Sequence, residues 1–398
     1  MKTLILAAGV GRNLRPLTST RPKSMIKLCN KTILHHLLDM LKEVGISDVE
    51  IVIGHEGRKI LDYFRYGQDF GMDINYLNQK EPTNIGDAVM LARDKFADSN
   101  YFLLVYSDIF IRKNIIKNTL TSFRSAQKPV AAVCLTSSTS LFGNIYMASD
   151  MQITRIVEKP EKSLGNYVLA GAYILPTEFF DILESENRDI EKAYSRLLKD
   201  KGLYASIWEE DWVHLGYPWD ILTANQIIMN SWKEARIHRS VSMDGHVRIE
   251  GPVRIDKNVR IESGTTIKGP CYIGADSYIG NNVLIRQNSS IGEGSVVGFG
   301  VEMKNSVLFG QNRIGRLSFV GDSVVGEHTV IGSGVMTVNT TLDGSPIGVN
   351  INGKEINSSF EKLGSFIGDR VEIGAGNTLR FGSIVPSGTK IKEHFSIS

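Results

Sequence analysis

The stretch IEGPVRIDKNVRIESGTTIKGPCYIGADSYIGNNVLIRQNSSIGEGSVVG, residues 249–298, places an aliphatic side chain at every sixth position. Ile249, Ile255, Ile261, Ile267, Ile273, Ile279, Ile285, Ile291 and Val297 hold that step without a slip. Gly, Asn, Asp and Ser crowd the positions between them, as tight turns require. A period of six is the repeat of a parallel β-helix, in which each inward aliphatic stacks on its counterpart one coil away. Met303 and Phe309 extend the expected register, Phe319, Val325 and Ile331 resume it after a short break, and Ile367, Ile373, Leu379, Val385 and Ile391 close it. The segment Val338 to Gly364 interrupts the coils. Insertions in solenoids form loops, so this one is either a solvated excursion or part of a binding face.

Upstream the periodicity changes. Thr3 to Ala8 is a continuous apolar run, the pattern of a parallel strand buried on both faces. Ile33, Leu34, Leu37, Leu38, Leu41 and Val44 share one helical face, with Gly45 at the C-terminal cap position. Further strands are expected at Val49 to Ile53, Ile74 to Leu77 and Tyr101 to Tyr106. Helices are expected around Ile60 to Tyr66, from Gly86 to Phe96, and from Trp219. Alternating strands and helices predict an α/β domain with a covered parallel sheet, and ligands in such sheets sit at the C-terminal strand ends. The domains are therefore expected at 1–232 and 233–398.

The 398 residues carry a net charge of +2, which gives no push towards nucleic acid or membrane. Cys29, Cys134 and Cys271 lie in no metal or redox spacing and read as free thiols in a reducing compartment. Lys2 precedes an apolar run, but the run is short, contains Gly9 and leads into no cleavage-like segment. No stretch approaches the ~20 apolar residues of a membrane span, so a soluble cytoplasmic protein is expected.

The string LAAGVGRNLRPLTSTRPKSM, Leu6 to Met25, follows the first strand. Gly9 and Gly11 let the backbone bend closely round an anion, and Arg12, Arg15, Arg21 and Lys23 supply charge for a triphosphate. It lacks the Gly-Lys-Ser/Thr of a P-loop and the third glycine of a dinucleotide fold.

The string resembles the opening motif of the sugar nucleotidylyltransferases, L-A-A-G-x-G-T-R-L-x-P-L-T followed by P-K. The resemblance continues in order through Gln79, Gly86-Asp87-Ala88, Ser107-Asp108, Gly143, Glu158-Lys159-Pro160, Ala170-Gly171-Ala172-Tyr173 and Trp212 to Asn225. It implies a Rossmann-like mixed or parallel sheet, then a left-handed parallel β-helix, and attack of a sugar-1-phosphate on the α-phosphorus of UTP or dTTP. It implies nucleotide contacts from Leu6, Ala8, Gly9, Gly11, Gln79 (to a pyrimidine base) and Gly86, and sugar contacts from Gly143, Glu158, Lys159 and Gly171. Arg12, Lys23 and Asp108 become the catalytic residues, with Asp108 holding Mg²⁺ or Mn²⁺.

The motifs depart from the family at three positions in this half. Asn13 stands where the family has an arginine, with Arg12 one place earlier. His214 stands where a metal-binding aspartate is usual; imidazole is a poor Mg²⁺ ligand, so His214 is read as a non-ligand. Leu169 replaces a sugar-binding asparagine. The second half resembles the bifunctional N-acetylglucosamine-1-phosphate uridylyltransferase/glucosamine-1-phosphate acetyltransferases. There Arg316 replaces the catalytic histidine and Phe319 a tyrosine. A guanidinium stays protonated and cannot act as a general base, so acetyl-CoA is not expected as a substrate. His328 is read as a turn residue, and His35 and His36 as structural. Two readings stand: an active enzyme making a nucleotide sugar, or a regulatory relative that binds one without turnover. The hexapeptide half also implies a homotrimer.

Overall fold

The computed structural model describes residues 1–81, 83–136, 142–158 and 167–394. Its contacts separate two compact units. The first comprises Met1–Val10, Arg21–Met25 and Ile33–His214; the second comprises Gly11–Thr20, Ile26–Thr32 and Leu215–Ser398. This division differs from the one drawn where the periodicity changes. The helix Asp220–Asn230 belongs to the second unit, where Asn225 Nδ2 donates to the Asn288 carbonyl at 2.9 Å and Gln226 Nε2 to Asn305 Oδ1 at 2.8 Å.

The first unit is built on a mixed sheet, with nine strands among the described residues. Thr3–Ala7 lies at its centre, parallel to Asp48–Ile53 on one side and Tyr101–Tyr106 on the other. Asp73–Asn78 extends the parallel part, while Tyr167–Pro176 runs antiparallel against Tyr101–Tyr106. Successive residues of the first strand feed opposite cores: Ile5 packs with Leu34, Leu37, Leu38 and Leu41, and Leu4 packs with Phe96, Phe102 and Phe179. Both faces are dry, which is why the strand reads as an unbroken apolar run. The helix Ile33–Glu43 ends at Gly45, whose φ of +76° lets its N–H reach the Lys42 carbonyl at 3.0 Å. The helix expected from Gly86 to Phe96 is two pieces, Ile85–Met90 and a 3₁₀ turn Arg93–Phe96. Asn84 caps the first piece by accepting from the Asp87 N–H at 2.8 Å.

The second unit carries the left-handed parallel β-helix, whose three sheets stack strands of two to three residues. Ile255, Ile261, Ile267, Ile273, Ile279, Ile285, Ile291 and Val297 form one continuous buried column. Past Met303 the register expected from the sequence needs correction. The inward residues are Leu308, Ile314 and Val320, not Phe309 and Phe319. Each pairs with a residue 17 positions earlier (Ile291, Val297 and Met303), so this coil is one residue short. Phe309 occupies a corner where other coils carry Gly292 and Gly326.

Val338 to Gly364 leaves the coils as a folded arm. Gly348–Ile351 and Lys354–Asn357 form an antiparallel hairpin closed by Asn352-Gly353, both at positive φ. That is the signature of a two-residue turn matched to strand twist. Ile347, Val349, Ile351 and Leu363 are buried, so the arm is a packed element and not a solvated excursion.

Candidate active site

Two neighbouring parallel strands bring the first site residues together. The N–H and hydroxyl of Ser107 both donate to the Leu6 carbonyl, at 3.2 and 2.7 Å. This ties the end of Thr3–Ala7 to the end of Tyr101–Tyr106, so Ala8 and Gly9 leave the sheet on the edge where Asp108 stands. A Cβ on Gly9 would meet no atom within 4 Å, which leaves open space at this bend. Gly11, at φ +63°, and Arg12 fall in the second unit, where the Thr18 hydroxyl donates to the Gly11 carbonyl at 2.7 Å.

Lys23, Asp108 and His214 converge in the first unit. Lys23 Nζ lies 3.0 Å from Asp108 Oδ2, and His214 Nε2 lies 3.3 Å from the same oxygen and 3.4 Å from Lys23 Nζ. The imidazole nitrogen can donate to the carboxylate or accept from the ammonium according to its tautomer, not both at once. Burial alone would raise the Asp108 carboxyl, but the Lys23 charge and the His214 hydrogen bond outweigh it and hold it well below the usual carboxylate range. The Lys23 ammonium and the His214 ring thus favour the ionised form of Asp108.

Beside this cluster opens a cavity of about 270 Å³. Gly143, Glu158 and Gly171 line it, with Leu169, Asp108 and His214. Gly143 and Glu158 are direct cross-strand partners. A Cβ on Gly143 would stand 2.6 Å from Glu158 Oε2 and 3.1 Å from Leu169 Cδ1. The glycine is what lets the carboxylate lie across the strand. Gly171, at φ +81°, takes a conformation side chains rarely adopt. Lys159 lies outside the described residues.

Gln79 sits just beyond the strand Asp73–Asn78, its N–H on the Ile53 carbonyl at 2.8 Å and its side-chain amide on the Thr83 hydroxyl at 3.0 Å. Gly86 has a packing reason: a Cβ there would run into the backbone carbonyl of Arg188. The reading of His328 as a turn residue agrees with its exposed position at φ +57°. The Trp212 to Asn225 motif divides. Trp212 fixes the cavity wall through Nε1 to the Ala170 carbonyl at 3.1 Å, whereas Asp220 caps its own turn by accepting from the N–H groups of Gly216 and Tyr217.

Sequence reading missed an aromatic wall. Tyr106, Tyr173 and Tyr194 line the cavity, with Tyr173 and Tyr194 stacked at 5.3 Å and Tyr106 against Tyr173 at 5.5 Å. Burial, with the Asp108 and Glu158 charges nearby, pushes the Tyr106 phenol up to about 12, so it stays a neutral donor. Phe142 stands edge-on to both Trp212 and His214 at 5.1 Å. Tyr173 closes a recognised motif and Tyr106 adjoins one, but Tyr194 lies on the amphipathic helix Ile190–Asp200 with nothing in sequence to mark it.

Comparison with known proteins identifies the family. The Nucleotidyl transferase family profile matches residues 2–231, and that of the GMPPB C-terminal domain matches residues 267–358. The bifunctional protein GlmU of Methanococcus maripaludis strain C7 is 37% identical over 385 residues, covering 94% of this chain and 89% of that protein. The bifunctional sugar-1-phosphate nucleotidylyltransferase/acetyltransferase of Sulfurisphaera tokodaii is 31% identical, covering 95% and 92%. UDP-glucose pyrophosphorylase complexed with UDP-glucose shares the fold of the first half, with a TM-score of 0.52 at 22% identity over 58% of this chain and all of that one. The enzyme of the same name from Acinetobacter baumanii gives 0.52 at 18%, over 57% and 93%. The chain belongs to the nucleotidyl transferase family and is a sugar-1-phosphate nucleotidylyltransferase.

Proposed function

We propose that the nucleotide is UTP, with dTTP as the alternative pyrimidine, and that the acceptor is N-acetylglucosamine-1-phosphate. The observation that carries the base is Gln79 at the sheet edge. A carboxamide presents a donor and an acceptor side by side, which complements the O4 and N3–H of uracil or thymine. The acceptor rests on the resemblance to the bifunctional uridylyltransferases. Its sugar would lie in the cavity lined by Glu158, whose carboxylate accepts hydrogen bonds from hydroxyls.

The reaction is an in-line displacement. A phosphate oxygen of the sugar-1-phosphate forms the new bond to the α-phosphorus, the bond to the bridging oxygen of the β-phosphate breaks, and pyrophosphate leaves. The attacking oxygen is already ionised, so no general base is needed; positioning and charge neutralisation remain. Lys23 acts as a point charge on phosphate. Asp108 fits a site for Mg²⁺, or Mn²⁺, which is commonly held by one or two carboxylates plus substrate phosphates. Among the described residues no group of three or more His, Cys, Asp or Glu side chains is placed to hold a metal, so those phosphates would complete the shell. When bound, the ion would supply charge neutralisation at the phosphates.

A pyrophosphate-release assay across the four nucleoside triphosphates and several sugar-1-phosphates tests the proposal. UTP or dTTP with N-acetylglucosamine-1-phosphate should turn over fastest, and Asp108→Asn should lose roughly a hundred-fold or more. Preference for a purine triphosphate would overturn the base assignment.

Acetyl transfer is not part of the proposal, because Arg316 is an exposed cation. The β-helix is proposed to assemble a homotrimer; Phe299, Leu317 and Met336 are exposed on it. No helix among the described residues is long and apolar enough to cross a membrane. Three free thiols support a cytoplasmic setting.

A further inference from the structure

The segment Gly11–Thr20 carries Arg12 and Arg15, both exposed, and the structure holds it at three points within the second unit. Thr20 donates its hydroxyl to Asp369 Oδ2, and Asp369 Oδ1 accepts from the Glu327 N–H at 2.7 Å. Ser387 Oγ donates to the Pro16 carbonyl at 3.4 Å. Asn352 Nδ2 donates to Asn13 Oδ1 at 3.0 Å.

The third point comes from the arm that interrupts the coils. Asn352 is the first residue of its two-residue turn, braced by the Gly353 N–H on Asn350 Oδ1 at 2.9 Å. The base of the arm lies tightly on the penultimate coil: a Cβ on Gly382 would meet the Gly348 carbonyl at 2.9 Å and Ile347 Cγ2 at 3.2 Å. A rigid hairpin on a rigid solenoid thus delivers one amide to one residue of the phosphate-binding motif. That residue, Asn13, is where the chain departs from the family arginine.

We propose that the Val338–Gly364 arm is a positioning element for the nucleotide loop, with Asn352 and Asn13 as its contact pair. Asn13 is then a tether and not a lost catalytic group. The loop must hold one shape to grip a triphosphate, and part of that shape is imposed by the β-helix insertion. The nucleotide, and not the sugar phosphate, is the substrate whose binding depends on the arm. This rests on nucleotidyl transfer but not on which base is used.

Asn352→Gly removes the amide while suiting the residue's φ of +52°. The variant should raise KM for the preferred nucleoside triphosphate about three-fold, leave KM for the sugar-1-phosphate unchanged, and keep the thermal midpoint. Asn352→Asp should restore the wild-type KM, since Asp-Gly suits the turn and the Asn13 amide can rotate to donate. Asn13→Ala should match Asn352→Gly, and the double variant should be no worse than either single one. Without any substrate, amide exchange at Leu14 and Leu17 should quicken in Asn352→Gly. An unchanged nucleotide KM with unchanged exchange, or additive single effects, overturns the proposal. An inactive wild-type chain whose loop exchange still responds would instead count against the activity alone.

Discussion

Gly143 shows how one missing side chain can define a site. Its antiparallel partner Glu158 lies over it, and Leu169 closes the same space. Gly143→Ala should push the Glu158 carboxylate aside, since that flexible end yields before the backbone does. Loss of its charge-assisted hydrogen bonds should raise KM for the sugar-1-phosphate roughly ten-fold or more, with KM for the triphosphate nearly unchanged. Steady-state kinetics with each substrate varied in turn check this; equal effects on both would remove Glu158 from the sugar role. Gly143 and Glu158 stand out in the sequence because the E-K-P and glycine motifs survive intact. The Lys23–Asp108–His214 cluster was not legible there, although all three were singled out. Lys23 and His214 are 191 positions apart, and only the sheet brings them onto one carboxylate oxygen.

At the scale of elements, the β-helix was legible as a repeat but not as a register. Counting sixes from Met303 reaches Phe309, yet the column turns inward at Leu308. The cue was present in the dipeptides Ile291-Gly292, Ile314-Gly315 and Val325-Gly326: the glycine follows the inward residue because a Cβ there would strike the next coil's backbone. Leu308→Ala should therefore cost about 2–5 kcal/mol in denaturant unfolding. Leu342→Ala, at an exposed site on the arm, should stay within about 0.5 kcal/mol. Equal losses would put the column elsewhere. The helix expected from Gly86 is two pieces, and Gly86 lies inside the first. Gly86 is set by the Arg188 backbone against it, a neighbour a hundred residues away.

At the scale of the molecule, light scattering should give three chain masses in dilute buffer; a monomer would refute the trimer. The two architectures follow from local pattern, because a period of six and an alternation of strands and helices reflect which side chains must leave water. The sequence also determined the reaction class, because the phosphate motif is contiguous. What surrounds those residues is settled by packing: the tyrosine wall of the cavity beside Asp108, the shared oxygen of Asp108, and the arm that meets Asn13. Each joins residues distant along the chain, and such contacts follow from packing and closure that no local period encodes.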